Sequence, residues 1–181
     1  MKKIATILLL LLVTSMFLTS CKKVDDLNTV NFDATFSGDV DCTTAGGGKS
    51  SLNNPVFGGS VEIVPTDDPN VNIYLSNIKN YEIESVKATI TSMSQENVTI
   101  ISADLNIHNF QHDAIWTFQN ELLTTGKTIT FGNDNGQWDT VHDILMDGQE
   151  FTIIITGEAD FSGVTFTVKV DIETKVEANI I

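Results

Sequence analysis

The sequence predicts an all-β protein: an antiparallel β-sandwich, immunoglobulin-like or related, with roughly eight to ten strands. Three observations favour this fold class. Apolar and polar residues alternate over many short segments, turn-forming residues separate those segments, and no window shows the 3.6-residue period of an amphipathic helix. Residues 29–181 are expected to form one domain, because a chain of this length can bury a single substantial core.

The C-terminal segment shows the alternation most clearly. From residue 164 to residue 180 nearly every even position is apolar and the odd positions are polar, with Thr174 as the exception. One apolar and one polar face are typical of a half-buried antiparallel strand. Because strands commonly run about 5–6 residues, we expect this one to bend near Thr174 or to span two partners in succession.

The other strands are predicted from β-branched and aromatic content between turn signals. They are residues 30–36, 60–64, 71–75, 81–91, 98–107, 115–118, 127–131 and 150–156. The last of these contains Phe151, Thr152 and three isoleucines in succession, which indicates a central strand covered on both faces. Only residues 143–146 are expected to form a helical turn.

The N-terminal segment has the features of an export signal. Lys2 and Lys3 precede an apolar run over residues 4–13, which is too short to span a bilayer. Small residues then lead to Cys21. This arrangement resembles the signal peptide and lipobox of bacterial lipoproteins. The resemblance implies that residues 1–20 are cleaved, that Cys21 carries lipid, and that residues 21–28 are the anchor and a short linker.

The residues after the cysteine bear on its destination. Lys23 is followed by Val24 and then by Asp25 and Asp26, which resembles the surface-export signal of Bacteroidota lipoproteins except for the intervening valine. The resemblance implies an outer-membrane lipid anchor, with the domain at the cell surface. An anchor that faces the periplasm is the alternative.

The charge of the chain limits its partners. Cleavage of residues 1–20 removes two lysines and no acid, so the net charge changes from −14 to −16. All positive side chains are lysines, so bidentate arginine contacts with phosphate are absent. A nucleic-acid partner is therefore not expected. With Cys21 lipidated, Cys42 has no partner for an intrachain disulfide.

A polar loop around Trp138 is the first candidate binding site. The indole ring could pack on the C–H face of a sugar while neighbouring side chains bond its hydroxyls. The candidate residues are Asn133, Asp134, Asn135, Gln137, Trp138 and Asp139. Two alternatives are open: a hairpin turn with positive φ angles at Asn135 and Gly136, and a Trp138 ring that folds back on the edge of the sandwich.

Three histidines are the second candidate, as zinc ligands of a hydrolytic site: His108, His112 and His142. The chain shows no nucleotide-binding or serine-nucleophile motif, and no cofactor is expected. Thr140, in Asp139-Thr140-Val141, resembles the acceptor of the Bacteroidota O-glycosylation signal.

Three functions remain open. The favoured one is a lipid-anchored, non-catalytic envelope module that binds a glycan or another envelope protein, with the membrane as its partner through lipid. The first alternative is a fimbrial or assembly subunit whose C-terminal segment takes part in strand addition. The second is a metal-dependent hydrolase.

Overall fold

The computed structural model describes residues 28–45 and 54–180. Eight strands make up most of this part of the chain: β1 (Thr29–Thr44), β2 (Val56–Ile63), β3 (Ile78–Met93), β4 (Val98–His108), β5 (Asp113–Leu123), β6 (Thr128–Phe131), β7 (Phe151–Ala159) and β8 (Thr165–Asn179). Two helices accompany them, α1 (Pro69–Tyr74) and α2 (Gln137–Met146), and α1 is flanked by the 3-10 turns Pro65–Asp67 and Leu75–Asn77. The predicted all-β fold with about eight strands is confirmed.

The eight strands form one antiparallel sheet in the order β5-β4-β7-β2-β1-β8-β3-β6. The first and last strands of this order come together, since the rings of Phe118 in β5 and Phe131 in β6 lie 5.7 Å apart. Phe36 in β1 also contacts Phe151 in β7, at 6.3 Å between centroids. The sheet therefore curls around one core, in which apolar side chains from opposite strands pack against each other.

Strand β8 lies between β1 and β3 and pairs with both at once. Its register with β1 runs without interruption from Thr29–Asn179 to Thr43–Thr165. Opposite Thr174, where we expected a bend or a change of partner, β3 shifts register between Ile83 and Ser85, and β8 keeps both partners on either side of this point. Thr174 itself is buried, and its hydroxyl donates to the Ala34 carbonyl at 3.1 Å, which satisfies the one polar side chain on the apolar face.

Strands β1 and β2 lie so close together at Gly59 that β2 has no room for a side chain there. Their ladder is limited to two pairs, Thr43–Gly58 and Thr44–Phe57. Beyond it, a Cβ on Gly59 would lie 2.3 Å from the Asp41 carbonyl oxygen. Glycine is therefore required at residue 59 for the close backbone contact at this corner of the sheet.

Two expectations from the sequence are wrong. Residues 71–75 are not a strand: helix α1 covers most of them, because Asp68 accepts hydrogen bonds from the Asn70 and Val71 amides and Pro69 occupies the first turn. The residues before Trp138 are not a hairpin either. Gly136 has the positive φ that we expected, 79°, but it begins the ten-residue helix α2, far longer than the predicted turn.

The helices pack across one end of the rolled sheet. Val141, Ile144 and Leu145 of α2 are fully buried, and so is Val71 of α1. This end is where β2 and β4 finish and where β1 and β7 begin. Neither described helix has the length and apolarity needed to cross a membrane.

Candidate functional site

A groove of about 860 Å³ opens at the helix-covered end of the sheet. The end of β2, the end of β4, the β4–β5 turn and the start of β7 all contribute to it. Its lining residues are Glu62, His108, Asn109, Phe110, Gln111, Asp147, Gln149, Glu150, Phe151 and Thr152. A groove of this volume is within the range that holds small-molecule ligands.

The β4–β5 turn is held in shape by Asn109. Its side-chain oxygen accepts hydrogen bonds from the Gln111 amide at 2.9 Å and the His112 amide at 2.8 Å. Its backbone amide donates to the His112 carbonyl. Asparagine side chains commonly stabilise turns through such hydrogen bonds to the backbone amides that follow them.

The same turn presents Phe110 to solvent. This side chain is 102% exposed, more than any other large apolar residue in the described part of the chain. A benzyl group held in water at the rim of a concave surface is uncommon in folded proteins, where phenylalanine is among the most buried residues. Phe110 thus resembles an aromatic contact residue of a binding surface more than part of the core.

The turn is also tied to α2. The Asn109 amide nitrogen Nδ2 donates to Oδ2 of Asp147 at 2.7 Å, and His112 Nε2 lies 3.7 Å from the same oxygen. Asp147 caps the C-terminus of α2. The position of Phe110 is consequently coupled to the helix that closes this end of the sheet.

The electrostatics of the groove are acidic. Glu62, Asp147 and Glu150 supply carboxylates. No lysine lines the groove in the part of the chain that the structure describes. The amides of Gln111 and Gln149 supply both donors and acceptors. The arrangement suits an uncharged polar ligand or a cation and disfavours an anion.

A smaller cavity of about 160 Å³ lies next to the groove and shares Asp147 and Gln149 with it. Leu75, Ile78 and Tyr81 contribute to its wall. Burial, and to a lesser degree the carboxylate of Asp68, raise the pKa of Tyr81 to about 12. The Tyr81 hydroxyl is buried and has no hydrogen-bond partner within the described residues.

The loop predicted as a sugar site has its polar groups partly committed to the fold. Asn133 Oδ1 accepts from the Trp138 amide at 2.9 Å. Gln137 accepts from the Asn135 amide and donates to the Ile115 carbonyl. Asp134 and Asp139 are exposed. Asn133 and Gln137 therefore shape the entry to α2, and a ligand role for the six predicted residues stays a prediction.

Trp138 folds back on the sheet, as in the second alternative for this loop. The ring is half-buried, packs against the core, and donates from Nε1 to the Phe131 carbonyl at 3.3 Å. Trp116 donates from β5 to the adjacent Gly132 carbonyl at 2.8 Å. The two indoles satisfy carbonyls at the end of β6, where the first and last strands of the sheet meet.

The structure does not bring the three histidines together as a metal site. His108 lines the groove, His112 lies beside Asp147, and both ring nitrogens of His142 are bonded, to Asp143 at 3.0 Å and to Asn80 at 3.1 Å. Within the described ranges, no group of three or more His, Cys, Asp or Glu side chains could hold a metal ion.

The remaining candidate residues are placed as follows. Thr140 lies in the first turn of α2, where its hydroxyl donates to the Gly136 carbonyl at 3.3 Å. Cys42 is buried in β1, and burial, with a smaller contribution from Asp41, raises its pKa to about 12. Lipidation at Cys21 and the export residues Lys23, Asp25 and Asp26 lie outside the described residues.

The sequence predicts a turn between the strands 98–107 and 115–118, but Phe110 in that turn was not recognised as a candidate contact residue. The signal was present, because an asparagine followed by an aromatic residue stood between two alternating segments. An aromatic residue in a turn has no strand face to bury it, so exposure could have been expected. The neighbouring His108 and His112 were predicted as metal ligands instead.

Comparison with protein-family models and with curated proteins finds no match. Among solved structures, the chain is similar to a decameric BFDV capsid protein, with a TM-score of 0.47 and 8% identity over 81% of this chain and 99% of that chain. It is also similar to a mud crab tombus-like virus, with a TM-score of 0.36 and 8% identity over 83% of this chain and 80% of that one. At these values the likeness bears on neither ligand nor function.

Proposed function

We propose that the protein is a lipid-anchored component of the bacterial outer membrane whose β domain is a non-catalytic binding module. The proposal joins two features. The sequence around Cys21 resembles a lipobox, and the domain that follows it carries a groove with an exposed aromatic residue at its rim. Several acyl chains together give a stable tether, at about 0.8 kcal/mol for each buried methylene.

The observation that carries the binding role is the position of Phe110. Its ring is fully exposed, yet the turn below it is fixed by Asn109 and tied to Asp147. A ligand that covers this ring would remove apolar surface from water at little cost in backbone entropy, because the turn is already ordered. The arrangement is that of a prepared contact surface.

A non-catalytic role fits the chemistry of the groove. Its carboxylates and His108 are solvated, and no nucleophile paired with a base is among its lining residues in the described part of the chain. Binding requires only complementary shape and polarity, which the groove offers. Binding is therefore the activity that these residues support best.

The anchor is tested by metabolic labelling with a lipid precursor in cells that express the protein. The native chain is expected to carry label and to sediment with outer membranes, whereas Cys21→Ala should be unlabelled and either released or unprocessed. Cys42→Ala is the matched control and should retain the label. Labelling of Cys21→Ala at the native level would contradict the anchor.

The side of the membrane is tested separately, by protease shaving of intact cells with lysed cells and a periplasmic marker as controls. We propose surface exposure, so the protein should be degraded in intact cells. Protection until lysis would place the domain in the periplasm and contradict the export interpretation of Lys23, Asp25 and Asp26.

A further inference from the structure

We infer that the groove beside Phe110 binds a neutral saccharide, with the ring of Phe110 against the C–H face of a sugar and the groove side chains bonded to its hydroxyls. This inference rests on the proposed binding function and specifies its ligand class and site. It differs from the sugar site predicted at Trp138, since it uses a different turn and different side chains.

Phe110 is exposed on a turn whose backbone is fixed by Asn109. Covering a phenylalanine ring removes its apolar surface from water, which favours binding. The partner must present an apolar patch of ring size next to polar groups, because the surface around Phe110 is polar. The C–H face of a pyranose, with hydroxyls at its rim, has this composition.

The side chains of the groove offer a mixture of hydrogen-bond donors and acceptors. Gln111 and Gln149 offer amide groups of both kinds, and Glu62 and Glu150 offer acceptors. A hydroxyl group both donates and accepts, so a ligand with several hydroxyls can satisfy such a set. A purely apolar ligand would leave these side chains desolvated without partners, at a cost in free energy.

The charge of the groove restricts the class of ligand further. The groove has three carboxylates and no lysine among its described lining residues, so an anionic ligand would be repelled. A cation is the competing occupant. However, Glu62, Asp147 and Glu150 are exposed to solvent, and water screens ion pairs at such positions so that they contribute little. A neutral ligand makes fuller use of Phe110 than a small cation does.

The position of the groove suggests where the saccharide lies. Strand β1 begins at the same end of the sheet at which β2 and β4 finish, so the anchored terminus and the groove share one end of the domain. Cys21 precedes Thr29 by eight residues. An extended segment of eight residues spans at most about 29 Å, which bounds the distance between the lipid and Thr29. Glycans close to the lipid surface are the source that such an anchor would favour.

The experiment uses the purified full mature chain in a screen of neutral, cationic and anionic oligosaccharides, followed by calorimetry with the best neutral sugar. Phe110→Ala is expected to weaken binding at least tenfold, while Phe110→Tyr retains it. Phe161→Ala is the matched control, since Phe161 is also exposed but lies at the opposite end of the sheet. It should leave the affinity unchanged.

Several results would overturn the inference. Equal affinity for the native chain and Phe110→Ala would do so. Loss on Trp138→Ala but not on Phe110→Ala would move the sugar to the α2 entry loop and leave the binding function intact. Preference for a cationic ligand, lost at high salt and on Glu62→Gln, would reject the neutral class. Binding of an envelope protein but of no sugar would retain the proposed function and reject this ligand.

A second arm distinguishes the two sources of the same sugar. The best neutral oligosaccharide is offered free in solution and as the headgroup of a glycolipid in vesicles of neutral lipid. We expect tighter binding of the lipidated protein to the vesicles, with Phe110→Ala weakening both. Tighter binding of the free sugar would exclude a membrane-bound source.

Discussion

The side chain of Asn109 donates from Nδ2 to Oδ2 of Asp147 at 2.7 Å, and this bond joins the β4–β5 turn to the end of α2. The two residues are 38 positions apart in the sequence. The oxygen of the same asparagine side chain closes the turn below Phe110. One residue thus defines both the shape of the turn and its attachment to the helix.

Asn109→Ala is expected to destabilise the protein by about 1–2 kcal/mol, because it leaves two turn amides and the Asp147 carboxylate without this partner. The free energy of unfolding in urea measures the loss. Asn135→Ala, at an exposed position whose side chain has no role in the turn, should change stability by less than about 0.5 kcal/mol. Equal effects of the two substitutions would contradict the role of Asn109.

A second prediction concerns the close contact between β1 and β2. Gly59→Ala would place a methyl group 2.3 Å from the Asp41 carbonyl oxygen, so the strands must separate. We expect a loss of about 1–3 kcal/mol or more. Gly58→Ala is the matched control in the same strand, because its nearest atom would lie at 3.4 Å. Thermal unfolding of both variants compares them, and a tolerant Gly59→Ala would mean a looser corner.

Tyr81→Phe is expected to keep or increase stability at neutral pH, by up to about 1–2 kcal/mol, because the hydroxyl that it removes is buried without a partner. The pKa of Tyr81 is raised to about 12 in the folded protein, from 10.0 for the free group. The folded state therefore retains its proton longer than the unfolded state, and stability is lost as the pH rises from 10 toward 12.

Chemical denaturation between pH 7 and pH 12 tests this expectation. The native chain should lose stability above pH 10 more steeply than Tyr81→Phe. Tyr74→Phe is the control, as Tyr74 is half-buried against Phe32. A clear destabilisation by Tyr81→Phe at pH 7 would show that the hydroxyl has a partner in solution.

Cys42 is expected to be unreactive in the folded protein. Its pKa of about 12 leaves roughly one thiol in ten thousand ionised at pH 8, and only the thiolate is alkylated rapidly. Iodoacetamide labelling should therefore fail under native conditions and go to completion in urea. Rapid labelling of the native chain would mean that β1 opens locally. A chain with Cys21 replaced isolates this thiol.

Deletion of residues 174–181 distinguishes an ordinary strand from a donated one. The deletion removes the end of β8, which pairs with β1 and β3 and buries Val176 and Ala178. We expect the truncated chain to lose its cooperative thermal transition. A folded monomer that no longer forms polymers would support the alternative of an assembly subunit with strand addition.

Much of the sheet could be predicted, because strand alternation depends on neighbouring residues only. The segment that ends at residue 180 is β8, and the predicted central strand is β7, which lies between β4 and β2. Helix α1 was missed although Asp68 and Pro69 are helix-start residues, since the same dipeptide also begins turns. Helix α2 was predicted only as the turn 143–146, although its core-facing residues Trp138, Val141, Ile144 and Leu145 follow helical spacing.

The candidate site was predictable only in part. His108 was singled out from the sequence and lines the groove, but as a polar neighbour of Phe110 and not as a member of a histidine cluster. The loop at Trp138 is not the hairpin turn that we expected but the entry to α2, and the Trp138 ring folds back on the sheet beside β6, as the second alternative had it. Neither role could be read from spacing, because each depends on residues from distant strands.

The sequence by itself determined the class of fold and the resemblance to a lipid-anchored protein, since both depend on local patterns: a period of two in the strands, and a short apolar run before Cys21. Only the tertiary structure decided where a ligand can bind. The groove unites Glu62, Phe110 and Glu150, which are far apart along the chain and meet because the sheet rolls up in one particular strand order. That order is set by packing over the whole core, which no local pattern encodes.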